Sequence, residues 1–104
     1  DNILLLDDGR VIAYGNVKEL FLKYCGDAVY ILENTPKNHS LAAEFRMLRS
    51  PDHLLALSCR NKEEERRMLS LFVEHNVDFK RSSSDIEIMS INAKSCFYGE
   101  AVQG

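Results

Sequence analysis

A chain of 104 residues, 45% hydrophobic and 28% charged, has the make-up of one ordinary folded domain with a real core, neither disordered nor collagenous. The formal net charge of -3, with no Lys/Arg run interleaved with aromatics, disfavours a nucleic-acid surface. No apolar run approaches the roughly 18 to 20 residues needed to span a bilayer, and the amino terminus lacks the basic and long apolar regions of a signal peptide. Cys25, Cys59 and Cys96 are odd in number, far apart and mostly set among apolar neighbours, which argues against a disulfide framework, and a reducing cytoplasm fits best.

Ile3 to Leu6 is a short apolar run, Asp7-Asp8-Gly9 is turn chemistry, and Arg10 to Tyr14 alternates Val11 and Ala13 with Ile12 and Tyr14. That pattern predicts a β-hairpin. Gly15 breaks the second strand, and Asn16 with Glu19 has the spacing of a capping box, so a helix begins at Val17 with Leu20, Phe21 and Tyr24 on its apolar stripe. Gly26 is placed to cap its end. Ala28 to Glu33 is β-branched and aromatic enough for a buried strand, which Asn34-Thr35-Pro36 ends.

Ser40 is positioned to cap a second helix with Leu41, Ala42, Phe45 and Leu48 at spacings of three and four, stopped by Ser50-Pro51-Asp52. His53 to Cys59 has the length and apolarity of a central strand covered on both faces. Asn61 and Glu64 form another capping box, opening the longest helix, Lys62 to His75, with Met68, Leu71, Phe72 and His75 along one side and Glu63 paired to Arg67. Asn76 suits a left-handed exit, Val77 to Lys80 alternates as a strand, and Ser82-Ser83-Ser84 is a turn. Asp85 to Ile91, with Ile86 and Ile88 on one face and Glu87 and Met89 on the other, predicts an antiparallel return strand. Asn92 then caps a short final helix from Ala93 to Val102, with Cys96, Phe97 and Ala101 apolar.

This order predicts an α+β fold: a two-layer sandwich, broadly ferredoxin-like, with a small mixed sheet and helices on one face, preceded by the hairpin. Two segments are expected, 1–26 carrying the hairpin and first helix and 27–104 carrying the sandwich.

Candidate chemistry is sparse. The glycines at 9, 15, 26, 99 and 104 never cluster, so no phosphate loop or dinucleotide fingerprint can be built. His39, His53 and His75 show no zinc-ligand spacing with one another or with the cysteines. A pairing of Cys59 with His53 or His75 for nucleophilic catalysis has no surrounding motif. The expectation is therefore no catalytic, cofactor-binding or metal-binding residue in this chain. Glu63-Glu64-Glu65 is read as a solvated first turn that the helix dipole favours, and Ser82 to Ser84 as a turn rather than a phosphorylation site.

The string ILLLDDGRVIAYG followed by NVKEL resembles the end of an ABC-type ATPase domain, an apolar run, an acidic-Gly turn, a Gly-containing strand and then G-x-x-x-E-L. Within that family the hairpin follows the switch histidine, and the Gly-x-x-x-Glu-Leu helix leaves the nucleotide-binding core. The remainder is similar in layout to the small C-terminal extension on ATPase subunits of many ABC exporters, whose closing "Ser-Leu-Glu-Asp-Val-Phe" corresponds to Ser90-Ile91-Asn92-Ala93-Lys94-Ser95-Cys96-Phe97, keeping only a Ser and a Phe. The resemblance implies a regulatory accessory domain that packs on its parent ATPase core or the twin subunit. It also implies contact through the parent with a membrane-spanning permease, ATP and Mg bound upstream rather than here, and a cytoplasmic location peripheral to the membrane. The different expectation, carried by fold alone, is an independent small-molecule-sensing or protein-interaction module that homodimerises through its sheet edges.

Overall fold

The computed structural model describes residues 2–99. Asn2–Asp7 (β1) and Arg10–Asn16 (β2) pair antiparallel around Asp8 and Gly9, both at positive φ, as a two-residue Asp-Gly turn requires. The register shifts between Leu5 and Leu6, so Leu5 faces Ala13 and Leu6 faces Val11. This β-bulge leaves Ile12 as the extra residue, and Ile12 and Ala13 are both buried. Strict alternation would have put Val11 with Ala13; the bulge places Val11 with Tyr14 on the exposed side instead.

Val17–Cys25 (α1) follows, with Asn16 Oδ1 accepting from the Lys18 amide at 2.8 Å. The reciprocal bond from Glu19 is not made. Gly26, at φ 93°, ends the helix by donating to the carbonyls of Phe21 and Leu22. Val29–Glu33 (β3) is the expected strand, but Pro36 does more than end it. Thr35 caps and Pro36 occupies the first turn of Pro36–Ala42 (α2), a position where its missing N–H costs nothing. The helix expected from Ser40 to Leu48 thus begins earlier and stops earlier, and Arg46–Leu48 (β4) is a strand. Leu54–Ser58 (β5) and Lys62–Glu74 (α3) match the expected strand and long helix. At the start of α3, Asn61 Oδ1 accepts from the Glu64 amide while the Glu64 carboxylate accepts from the Arg60 amide, one residue before the cap.

Asn76, at φ 54°, turns the chain into Phe79–Ser82 (β6). The largest departure comes next: Ile86–Phe97 (α4) is one helix where a return strand and a short helix were expected. Asp85, not Asn92, is its N-cap, accepting from the Ile88 amide at 2.9 Å. The alternation of Ile86 to Met89 fits a strand, yet Ile88, Met89 and Ala93 also make a helical stripe, and all three are buried. The expected helix positions beyond residue 99 lie outside the described residues.

The strands β3 to β6 form one sheet in the order β4-β5-β3-β6. With α2 between β3 and β4 and α3 between β5 and β6, this is the βαββαβ order of a ferredoxin-like sandwich within an α+β fold. Every pairing is antiparallel rather than mixed, because β5 lies between β3 and β4, which run one way, and β3 lies between β5 and β6, which run the other. Helices cover both faces rather than one. Tyr30, Leu32, Leu55 and Leu57 pack under α2 and α3 with Met68 and Phe72, while Val29, Ala56 and Leu48 pack against Phe21 and Cys25 of α1 and Ile88 and Met89 of α4. The second core also takes Ala13 of the hairpin, so it crosses the expected division at residues 26 and 27.

Replacing Met89, fully buried, with Ala should lower stability by about 2–5 kcal/mol, the range for truncating a core methionine. Asp85→Ala should cost about 1 kcal/mol through the lost cap. Urea unfolding checks both; a near-neutral Met89→Ala would return the segment to a strand with Met89 outside.

Candidate functional site

The bulge gives the hairpin two apolar faces, and only one is covered. Ile3 and Leu5 lie against the core with Ala13. On the other face Leu4 is 50% exposed, Leu6 55%, Val11 53% and Tyr14 65%. Leu4 pairs with Tyr14 and Leu6 with Val11, so these four side chains are neighbours on one surface. β1 and β2 form a separate two-stranded sheet with both outer edges unpaired. A two-stranded ribbon is marginal in water, and a contiguous apolar patch on one marks a contact surface.

The hairpin is held from its covered side. At the tip, the Tyr98 hydroxyl donates to Asp7 Oδ2 at 2.6 Å and Lys94 Nζ lies 3.5 Å from Asp7 Oδ1, tying the end of α4 to the turn. The Tyr98 hydrogen bond, with a smaller contribution from Lys94, holds the Asp7 carboxyl below the usual carboxylate range. The same bond pushes the Tyr98 phenol up.

A second polar group sits at the opposite core. Tyr30, its ring buried against Phe72 and Phe79, donates to the Glu65 carboxylate and accepts from Arg81 Nε at 3.2 Å. Arg81 also lies 3.8 Å from Glu65. Burial first, then the Glu65 carboxylate, raises the Tyr30 phenol, while the Tyr30 bond lowers Glu65. Each charge here has its partner, which is how a half-buried polar network is tolerated.

The residues that the sequence offered for chemistry do not converge. Among the described residues no group of three His, Cys, Asp or Glu side chains could hold a metal ion. His39 lies in α2, His53 precedes β5, and His75 is the exposed C-cap of α3, where its carbonyl accepts from Lys37 Nζ at 2.6 Å. No hydrogen bond joins Cys59 to either His53 or His75; its sulfur lies 3.7 Å from that of Met68. Burial pushes the Cys59 thiol up to about 11, so it is protonated at neutral pH and a poor nucleophile. Cys25 is fully buried in the core and likewise raised to about 11, whereas Cys96 is exposed.

Within the acidic triplet, Glu64 is buried by its cap bond and Glu65 serves Tyr30, so only Glu63 is a plain solvated residue. Arg67 pairs with Glu44 at 2.9 Å instead of Glu63. The serine turn closes on itself, with the Ser84 amide donating to Ser82 Oγ. No helix among the described residues is long and apolar enough to cross a membrane. Comparison with protein families, curated proteins and solved structures finds no match to this chain.

The Asp7 tie has a defined pH dependence. Because the folded carboxyl is held below its unfolded value, the tie is complete above the ordinary carboxylate range and is lost as pH falls through the depressed folded value. In Tyr98→Phe the Asp7 titration, followed by carboxyl NMR, should move up toward its unperturbed position; an unchanged curve would remove Tyr98 as the cause.

Proposed function

We propose that this chain is the C-terminal accessory domain of an ABC transporter ATPase subunit, supporting ATP-driven transport by packing against the ATPase core, with no catalytic residue of its own. One observation carries this reading: the hairpin whose residues resemble the end of an ATPase domain presents Leu4, Leu6, Val11 and Tyr14 to solvent on an unpaired two-stranded sheet. A ribbon that closes the edge of a larger sheet layer needs apolar side chains on both faces, one for its own helices and one for the core it leaves. This hairpin has both. The G-x-x-x-E-L segment that follows it runs from Gly15 to Leu20, and Leu20 and Phe21 seat the helix on the ferredoxin-like unit. That geometry supports a rigid attachment of the unit to the hairpin, in place of a flexible tether.

The role that follows is regulatory. A layer fixed to the last strands of an ATPase domain shifts the balance between open and closed subunit pairs by whatever contacts it makes in only one of them, a few kcal/mol at most for contacts of this size. ATP and Mg are handled by the parent core in this reading, and the membrane is reached through the parent's permease.

Two measurements test it. The 104-residue chain alone should show no micromolar binding of ATP and Mg by calorimetry; affinity in that range would sink the reading. Leu4→Asp combined with Leu6→Asp should cost the isolated chain about 1 kcal/mol per site, the span of strand propensity and cross-strand pairing at half-exposed positions. In the whole ATPase subunit the same pair should lower the melting temperature by several degrees. An unchanged melting temperature there, or concentration-dependent self-association abolished by the same pair, would point to a free-standing module that uses this face for a second copy.

A further inference from the structure

We propose that the cleft between α1, β4 and α4 binds a small molecule through a phosphomonoester group. The cleft encloses about 310 Å³ and is walled by Lys23 and Tyr24 of α1, Arg46 of β4, Arg49 just after it, and Asn92 and Ser95 of α4. Among the described residues no carboxylate lines it, in a chain whose net charge is -3. Lys23 and Arg46 make no ion pair among the described residues, and Lys23 Nζ lies 5.2 Å from the centre of the Tyr24 ring, whereas in a smaller cleft of about 120 Å³ Arg60, Lys62 and Arg81 stand with Glu65 and Asp27.

The wall is built rather than incidental. Asn92 Oδ1 accepts from the Arg49 amide at 3.2 Å and its Nδ2 donates to the Arg49 carbonyl at 3.0 Å and the Ile88 carbonyl at 2.8 Å, pinning the β4 exit to α4. Arg46 shares the sheet face of Leu48, the face turned toward α1 and α4, so its guanidinium is brought to the cleft by strand register. Ser95 is only 7% exposed, makes no hydrogen bond among the described residues, and lines the cleft. Among the described residues no fully enclosed side-chain oxygen or nitrogen lacks a partner, so the unpartnered Ser95 hydroxyl keeps some solvent access beside this opening.

These groups select the ligand's chemistry. A dianion matches two cations that face no carboxylate among the described residues, Arg46 offers a planar fork and Lys23 a point charge, and Ser95 adds a hydroxyl donor for a further oxygen. The volume sits at the low end of small-molecule sites and exceeds what a bare inorganic anion fills. Tyr24 and Leu48 supply apolar wall for the ester's organic part. Either a free phosphate ester or a lipid headgroup offers that chemistry.

The test uses the whole 104-residue chain labelled with nitrogen-15 and three probes: glycerol 3-phosphate, inorganic phosphate, and phosphatidylcholine vesicles containing phosphatidic acid. Glycerol 3-phosphate should give saturable amide shifts confined to residues 23–24, 46–49 and 92–96, bind more tightly than inorganic phosphate, and slow alkylation of the exposed Cys96 thiol at the cleft rim. Lys23→Gln and Arg46→Gln, both at exposed side chains, should each weaken binding about tenfold, the scale of one charge-assisted hydrogen bond. Vesicle binding lost in the same variants would assign a lipid headgroup, and its absence beside glycerol 3-phosphate binding a soluble ester. No saturable shift by any probe to about 10 mM, a range that covers weak effector sites, or shifts insensitive to both substitutions, would overturn the proposal. Because the readout needs neither ATP nor a transporter, it stands or falls apart from the accessory-domain reading.

Discussion

The packing of this molecule turns on a five-residue strand that is apolar on both faces. β3 sends Tyr30 and Leu32 under α2 and α3 and sends Val29 and Ile31 toward α1, α4 and the hairpin. Its two neighbours, β5 and β6, take their register from it. Alternation along a strand normally separates a wet face from a dry one, and a central strand with neither face wet obliges the chain to supply a helical layer twice. The second layer is what joins the hairpin to the sandwich, through Phe21 and Cys25 on one side of the expected division and Val29, Ile88 and Met89 on the other. Removing the first 26 residues would therefore uncover the part of the Val29 face that Phe21 and Cys25 fill, and the hairpin segment is a structural part of the fold that follows it.

Elements with strong end signals were legible before the fold was seen. Asp8-Gly9 set the hairpin turn, Gly26 the end of α1, and Asn61 the start of α3, and in each case the side chain or φ value does the expected physical work. Two elements were not legible, for different reasons. β4 has three residues, too few to show a period, and Phe45 and Leu48 fall at a helical spacing by accident; pairing with β5 decides the matter. In α4, Ile86 to Met89 satisfies period 2 and Ile88, Met89 and Ala93 satisfy period 3.6, and the choice is made by the space left between α1 and the sheet. Tertiary packing overrides a β-branched propensity there.

The candidate surfaces divide along the same line. The hairpin's apolar character was visible in ILLL and RVIAY, whereas the bulge at Ile12, which decides which four side chains stay outside, leaves no mark in an alternating run. The cations of the cleft stand at positions 23, 46 and 49, on a helix, an edge strand and the segment after it, so only the sheet order brings them to one wall. Charge counted over the chain gave no hint of them, because a negative total is compatible with a local positive surface.

α4 connects these features. Ile88, Met89 and Ala93 enter the core, Lys94 and Tyr98 reach the hairpin turn at Asp7, and Asn92, Ser95 and Cys96 line the cleft. Residues at spacings of three and four share a helix side, so Lys94 and Tyr98 form one stripe, while Asn92 and Cys96 interleave with Ile88, Met89 and Ala93 and carry the cleft wall along the edge of the buried side. The consequence is thermodynamic. A ligand that needs α1, β4 and α4 assembled binds only the docked helix and therefore stabilises docking by its own binding free energy. The docked helix is also the one that grips the hairpin tip. An anion in the cleft would thus reinforce the tie at Asp7 without touching it, and would stiffen the ribbon whose outer face leaves Leu4, Leu6, Val11 and Tyr14 exposed.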